Sequence, residues 1–118
     1  MLMLSPFTNA ETKYFVCADA VTGVSGWILN DVLQINIKEE WMQFDEIRIG
    51  DVFDNDNFNQ EITAFGYGTD GNGIRSTKWE LEFNKITGAF VFVQDDLKTP
   101  LIDVILRYKC TPTEPVLP

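Results

Sequence analysis

Apolar and polar side chains alternate along most of this chain, and this period of two constrains its fold more than any other feature. Within residues 74–83, apolar side chains alternate with charged ones from Trp79 to Phe83. An extended strand turns successive side chains to opposite faces, whereas a helix repeats every 3.6 residues. The same alternation returns in residues 27–38 and 101–110. The pattern therefore predicts strands that each bury one face.

Turn-forming residues separate the predicted strands. Gly, Asn, Asp and Pro cluster in residues 68–73 and 95–100, and such clusters favour tight connections. Residues 39–43 are expected to form a single helical turn. The predicted fold is all-β, a single antiparallel meander of about seven strands. Because strand edges have to be paired or covered, the meander closes into a barrel or, as the alternative, folds into a β-sandwich. The predicted strands are residues 13–20, 27–38, 44–53, 61–67, 74–83, 89–94 and 101–110.

The chain of 118 residues has the size and apolar content of one domain, which we assign to residues 11–110. Residues 1–10 are uncharged, apolar at the front and end in Ala10, which is typical of the end of an export signal. The alternative is a disordered tail or an apolar arm packed on the domain. Residues 111–118 contain three prolines and are expected to be a flexible tail. No apolar run is long enough for a helix that spans a membrane.

Two cysteines bear on the closure of the sheet and on the compartment. Cys17 lies in the first predicted strand and Cys110 in the last. The first and last strands of a closed sheet are often neighbours, which brings the two thiols within bridging distance. In a reducing cytosol the same residues would be two buried thiols. A disulfide agrees with the export signal and is favoured, and with it a periplasmic or secreted location over a cytoplasmic one.

The absence of histidine removes most catalytic chemistries. A Ser-His-Asp or Cys-His arrangement, a typical zinc site and a near-neutral imidazole base all need histidine. Two carboxylate pairs remain, Glu80 with Glu82 and Asp95 with Asp96, but an outward strand face and a turn explain them. The sequence therefore predicts a protein that is not an enzyme and has no cofactor.

Negative charge is concentrated in residues 39–61. This segment holds eight of the 18 acidic residues and one basic residue, Arg48, so it carries −7 of the net charge of −9. If the segment forms one surface, its field favours a basic protein partner and disfavours nucleic acid, whose binding needs clustered Lys and Arg. The alternative is a solvated strand edge, kept charged for solubility.

An aromatic residue inside an acidic rim is typical of an interface anchor. The predicted partner-binding residues are Trp41, Glu39, Glu40, Asp45, Glu46, Asp51, Asp54 and Asp56.

The Asp and Asn side chains in residues 51–61 are candidate ligands for calcium, since Ca²⁺ binds clustered oxygen atoms. The spacing of these residues does not match the ligand positions of a calcium-binding loop, because the fifth position counted from Asp54 is Phe58 and the twelfth is Phe65. Turn formation explains the run, and no metal site is predicted.

The three Trp and nine Phe exceed what a core of this size requires. A ligand cavity lined by some of them is an alternative to core packing.

The segment WELEFNKITGAF at 79–90, with Cys110 in the last predicted strand, resembles the C-terminal part of small exported bacterial β-proteins of unknown function. In those proteins a strand ends in a basic residue and a Thr-Gly turn, and the final strand brings a Cys back to an N-terminal Cys. The resemblance implies export and a bridge between Cys17 and Cys110, and it implies no activity.

Together these features predict a non-enzymatic binding module. Its concrete form is an inhibitor or immunity-type protein that presents an acidic face to a basic protein. Two other classes are open: a β-barrel that holds a small apolar ligand among its aromatic residues, and a phage-type inhibitor that imitates nucleic acid with its carboxylates. The sequence carries no signal for an oligomeric state.

Overall fold

A computed structural model of the chain describes residues 12–20, 32–98 and 104–113, which form nine β-strands. None of these residues forms a helix long and apolar enough to cross a membrane. The prediction of an all-β chain is confirmed. The strands are β1 (Lys13–Asp19), β2 (Val32–Asn36), β3 (Trp41–Phe44), β4 (Ile47–Ile49), β5 (Val52–Asp56), β6 (Glu61–Thr69), β7 (Arg75–Asn84), β8 (Ala89–Asp96) and β9 (Val104–Thr113).

All nine strands belong to one sheet with the order β4-β3-β2-β1-β9-β8-β7-β6-β5. Strands β1–β4 form one antiparallel meander and β5–β9 another, and the antiparallel pairing of β1 with β9 joins them. The two outer strands, β4 and β5, are consecutive in sequence, and β4 also lies against β6. The sheet therefore curls into a nearly closed barrel. This confirms the barrel-like meander, with nine strands where about seven were predicted.

The barrel has a seam along β4 and β5, where the chain changes its pairing partner. Residues 47–49 pair with β3, whereas residues 52–56 pair with β6. Gly50 lies between these two stretches, and a Cβ atom there would stand 2.5 Å from the carbonyl oxygen of Glu40. Only glycine lets the chain pass β3 this closely before it moves to β6. The seam is thus closed by the covalent chain instead of by a β4–β5 ladder.

The largest departure from the predicted strands falls in residues 39–53. Instead of a helical turn followed by one long strand, the chain forms the β3–β4 hairpin and then β5. Met42 and Phe44 are buried while Trp41 is half-buried, so alternation already begins at Trp41. Asp45 turns the chain with a φ of 52°, a left-handed conformation that Asp tolerates better than most residues. The predicted helical turn was wrong because a four-residue strand is too short to be distinguished from it.

The remaining predicted strands lie close to the observed ones. Gly88, between β7 and β8, has a φ of 79°, which glycine adopts more readily than other residues. Strand β9 continues to Thr113, three residues beyond the predicted end, because its last residues pair with β1. The predictions for residues 1–10, 27–31, 99–103 and 114–118 fall outside the described residues.

Side chains from opposite walls meet inside the barrel. The ring centroid of Phe44 on β3 lies 5.0 Å from that of Phe90 on β8 and 5.1 Å from that of Tyr108 on β9. Phe15 on β1 and Phe83 on β7 are 4.8 Å apart. Contacts between strands that are not neighbours in the sheet require a shared interior, so the curled sheet encloses one core. The buried apolar residues are Phe15, Cys17, Leu33, Ile35, Met42, Phe44, Ile49, Ile62, Ala64, Leu81, Phe83, Phe90, Phe92 and Cys110.

The alternating strand directions place the turns at two ends of the barrel. The upper end, as we name it, carries the turns at 45–46 and 70–74. The lower end carries the turns at 37–40, 57–60 and 85–88.

A disulfide joins Cys17 on β1 to Cys110 on β9, as predicted. The two residues stand directly opposite each other in the β1–β9 ladder, and both are buried. The bridge therefore cross-links the two strands whose pairing joins the meanders. It is consistent with an oxidising location, where disulfides form and persist.

Removing the disulfide is expected to destabilise the barrel. The C17A/C110A variant should lose roughly 3 to 5 kcal/mol of unfolding free energy, because the bridge closes a long loop in the unfolded chain. Urea unfolding followed by tryptophan fluorescence measures the difference. As a control, dithiothreitol should lower the midpoint of the native protein and leave that of the variant unchanged. A loss below about 1 kcal/mol would show that the bridge is not a major stabilising link.

The ring of Phe44 offers a second test of the shared interior. Phe44→Ala is expected to cost about 3 to 5 kcal/mol, because it empties the centre of the aromatic cluster. Phe58→Ala deletes the same group from a side chain that is 93% exposed, and should change stability by less than about 0.5 kcal/mol. Equal midpoints of chemical unfolding for the two variants would contradict the packing described.

Candidate functional site

The predicted partner-binding residues lie along one side of the barrel, beside the seam. We call this surface the acidic side and define it by Glu39, Glu40, Trp41, Asp45, Glu46, Asp51, Asp54 and Asp56. Glu39 and Glu40 lie in the β2–β3 turn at the lower end, and Asp45 and Glu46 form the β3–β4 turn at the upper end. The pairing of β3 with β4 and the short link to β5 keep the segment together. The structure thus places these residues on adjacent elements but spreads them over the height of the barrel.

Trp41 is held against its own chain. Its indole Nε1 donates a hydrogen bond to Glu39 Oε1 at 3.3 Å, and the guanidinium of Arg48 lies 3.7 Å from the ring centroid. Arg48 Nε in turn donates to Gln43 Oε1 at 2.8 Å. A cation therefore already occupies one face of the predicted anchor. No sequence pattern predicts this contact, because Trp41 and Arg48 meet only once β3 and β4 pair.

Asn36, which the sequence analysis did not single out, positions Glu39. Its Oδ1 accepts a hydrogen bond from the backbone N of Glu39 at 2.8 Å, and its Nδ2 donates to Glu39 Oε1 at 3.1 Å. Asn36 is the buried polar residue of the described core. Its bonds show how a buried amide finds partners at the end of a strand.

Asp45 has a structural role at the upper end. Its Oδ1 accepts a hydrogen bond from the backbone N of Val32 at 3.2 Å, and its own N donates to the Val32 carbonyl oxygen at 3.0 Å. These bonds tie the β3–β4 turn to the start of β2. Asp45 is therefore fixed in place by the fold.

The Asp- and Asn-rich run forms the β5–β6 turn. Asp56 Oδ1 accepts hydrogen bonds from the backbone N atoms of Asn59 and Phe58, and these bonds, led by that from Asn59, lower the pKa of Asp56. Lys85 Nζ donates to the side-chain oxygens of two asparagines of the run, at 2.7 and 2.6 Å. Within the described ranges, no group of three or more Asp, Glu, Cys or His side chains is placed to hold a metal ion.

Four carboxylates of the acidic side have no cationic partner among the described residues. Glu40, Glu46, Asp51 and Asp54 are exposed, and none of them forms a hydrogen bond or an ion pair with another described side chain. Arg48, the basic residue within the segment, is directed to Trp41 instead. These four groups are therefore free to meet the cations of a partner.

The negative field of the acidic side continues across β6 to β7. In the ladders, Asp54 stands opposite Thr63, and Thr63 stands opposite Glu82. Burial raises the pKa of Glu82, and the carboxylates of Glu80 and Glu61 raise it further. The contribution of these two carboxylates to the raised pKa shows that negative charges repel one another on this surface.

A pocket opens at each end of the barrel. The lower pocket, of about 280 Å³, is lined by Phe15, Phe83 and residues 85–88 and 109–112. The upper pocket, of about 320 Å³, shares two residues with the acidic side. It is lined by Phe44, Asp45, Glu46, Ile47, Phe92, Gln94, Leu106 and Tyr108. The number of aromatic residues predicted a ligand cavity as an alternative to core packing, but it could not place the cavity at these positions.

Comparison with known proteins identifies no relative of this chain. No model of a protein family matches it, and neither a curated protein nor a solved structure matches it significantly. Its function therefore has to be inferred from the surfaces described above.

Proposed function

We propose that this chain is a non-enzymatic binding protein whose acidic side binds a basic surface of another protein. The observation that carries the proposal is the set of four exposed carboxylates, Glu40, Glu46, Asp51 and Asp54, which have no cationic partner among the described side chains. An inhibitor or immunity-type protein that covers a cationic hydrolase is the concrete form of the proposal.

The contact is expected to be electrostatic, with little contribution from an aromatic anchor. Arg48 covers one face of Trp41, so the carboxylates are the groups that a partner meets first. Exposed charge pairs are weak one by one and are screened by salt. Several of them on one surface accelerate association and select partners of opposite charge.

The Cys17–Cys110 bridge supports an oxidising compartment, and a partner would be met in the periplasm or outside the cell. The net charge of −9 supports a basic partner and opposes binding to nucleic acid. Imitation of nucleic acid would need carboxylates at the spacing of a phosphate backbone. The turn roles of Asp45 and Asp56 leave fewer carboxylates for that purpose.

The proposal is tested with a panel of secreted cationic hydrolases, immobilised for biolayer interferometry. The native protein should bind at least one of them at about 50 mM NaCl, and the affinity should fall roughly tenfold or more at about 300 mM. The variant D51N/D54N should bind roughly five- to tenfold more weakly at low salt, because two exposed ion pairs are lost.

The variant D95N/D96N is the matched control, since it removes the same number of charges from the end of β8, outside the acidic side and its continuation to β7. Its affinity should change by less than about twofold, because screening confines the effect of a charge to its surroundings. Equal weakening of both variants would mean that only net charge matters and would refute an acidic-side contact. Absence of binding to every member of the panel at low salt would refute the proposal as a whole.

A further inference from the structure

The upper pocket combines an aromatic floor with a carboxylate rim. Phe44 lies at the centre of the floor, with ring centroids 5.4 Å from Phe92 and 5.1 Å from Tyr108. The β3–β4 turn supplies Asp45 and Glu46 to the same pocket. Ring faces and carboxylates both attract positive charge, and aromatic residues with a nearby acid are a common way to bind an ammonium group.

The pocket is apolar enough for the body of a ligand. Leu106 and Ile47 complete its wall, and Leu106 is 39% exposed although it points in the same direction along β9 as the buried Cys110. The volume of about 320 Å³ falls at the lower limit of small-molecule sites. A compact ligand with one ring or a short aliphatic chain is therefore the size that fits.

Gln94 contributes a polar group on the wall opposite the carboxylates. Trp79 Nε1 donates a hydrogen bond to Gln94 Oε1 at 2.8 Å, and an indole N–H can only donate, so the orientation of the amide is fixed. The ring of Trp79 is itself held over Gly68, where a Cβ atom would collide with it. The Nε2 group of Gln94 makes no hydrogen bond with the described residues. Within the described part of the chain, it is therefore a donor without an acceptor.

The rim carries negative charge that a ligand has to tolerate. Glu46 is exposed and forms no ion pair with a described residue, and Asp45 is fixed beside it by its bonds to Val32. A carboxylate or phosphate ligand, such as a fatty acid, would be repelled. A cation would be attracted and would find the aromatic floor beneath it.

We propose that the upper pocket binds a small organic cation, with its ammonium group between the carboxylate rim and the aromatic floor, its apolar body against Ile47 and Leu106, and a hydrogen-bond acceptor on Gln94 Nε2. The site shares Asp45 and Glu46 with the acidic side, but Asp51 and Asp54 do not line it, so different substitutions test the two proposals.

The test compares two probes of the same shape. Benzoylcholine carries a quaternary ammonium, an ester carbonyl and a ring, and 3,3-dimethylbutyl benzoate replaces the charged nitrogen by carbon. In NMR titrations of the native protein, benzoylcholine should bind at least roughly tenfold more tightly than the neutral ester. The largest methyl shifts should be those of Ile47 and Leu106.

Substitutions then locate the site. Glu46→Gln should weaken benzoylcholine binding roughly three- to tenfold and leave the neutral ester unaffected. Glu40→Gln removes the same charge from the lower end and should change neither probe. Leu106→Trp, at a partly exposed position that can take a larger side chain, should abolish the binding of both probes by filling the pocket.

Three results would overturn the inference: equal affinity for the two probes, no binding of benzoylcholine, or shifts that cluster around residues 85–88 at the lower end. None of them bears on the acidic-side proposal. Conversely, D51N/D54N should bind benzoylcholine like the native protein, so a failure of either proposal can be recognised by itself.

Discussion

The pairing of β1 with β9 is the interaction on which the rest of the structure depends. It is the ladder that turns two separate meanders into one curled sheet, and the Cys17–Cys110 bridge lies within it. Without that ladder, the rings of Phe15 and Phe83 would belong to different half-sheets and would have no reason to meet. A chain with many non-local strand pairs forms such contacts late in folding, and it folds slowly. A covalent link across the closing ladder reduces the entropy that this step has to overcome.

The seam opposite this ladder explains why negative charge lies where it does. Strands β4 and β5 are short, and each pairs on one side with a meander while the chain itself joins them. A sheet edge of this kind invites pairing with another chain, and charged residues are a common protection. Asp51 and Asp54 therefore serve the fold as edge protection. The same exposure makes them available to a basic partner, so the two interpretations of the acidic segment are compatible.

Period two predicted most of the barrel, because burial of one face acts on every strand alike. It placed Leu81, Phe83 and Cys110 inside and assigned both cysteines to neighbouring strands. It failed at residues 39–53, where a glycine and two left-handed residues shorten the strands below the length at which alternation can be recognised.

For the candidate site, the sequence could predict where negative charge is concentrated, but not which carboxylates are paired with a cation. Whether Arg48 neutralises a carboxylate or stacks on Trp41 is decided by the register of β3 with β4.

The upper pocket follows from the way the interior is filled. Phe15 and Phe83 meet across the lower part of the barrel, and along the upper part of β6 the side chains of Ile49 and Trp79 lie against Gly66 and Gly68. Trp79 turns toward Gln94, and the described residues do not fill the volume between Phe92, Leu106 and the β3–β4 turn. A barrel of this size can either pack its whole interior or keep room for one small ligand. Here the described residues leave room at the upper end, and Asp45 and Glu46 at its rim determine the charge of what can enter.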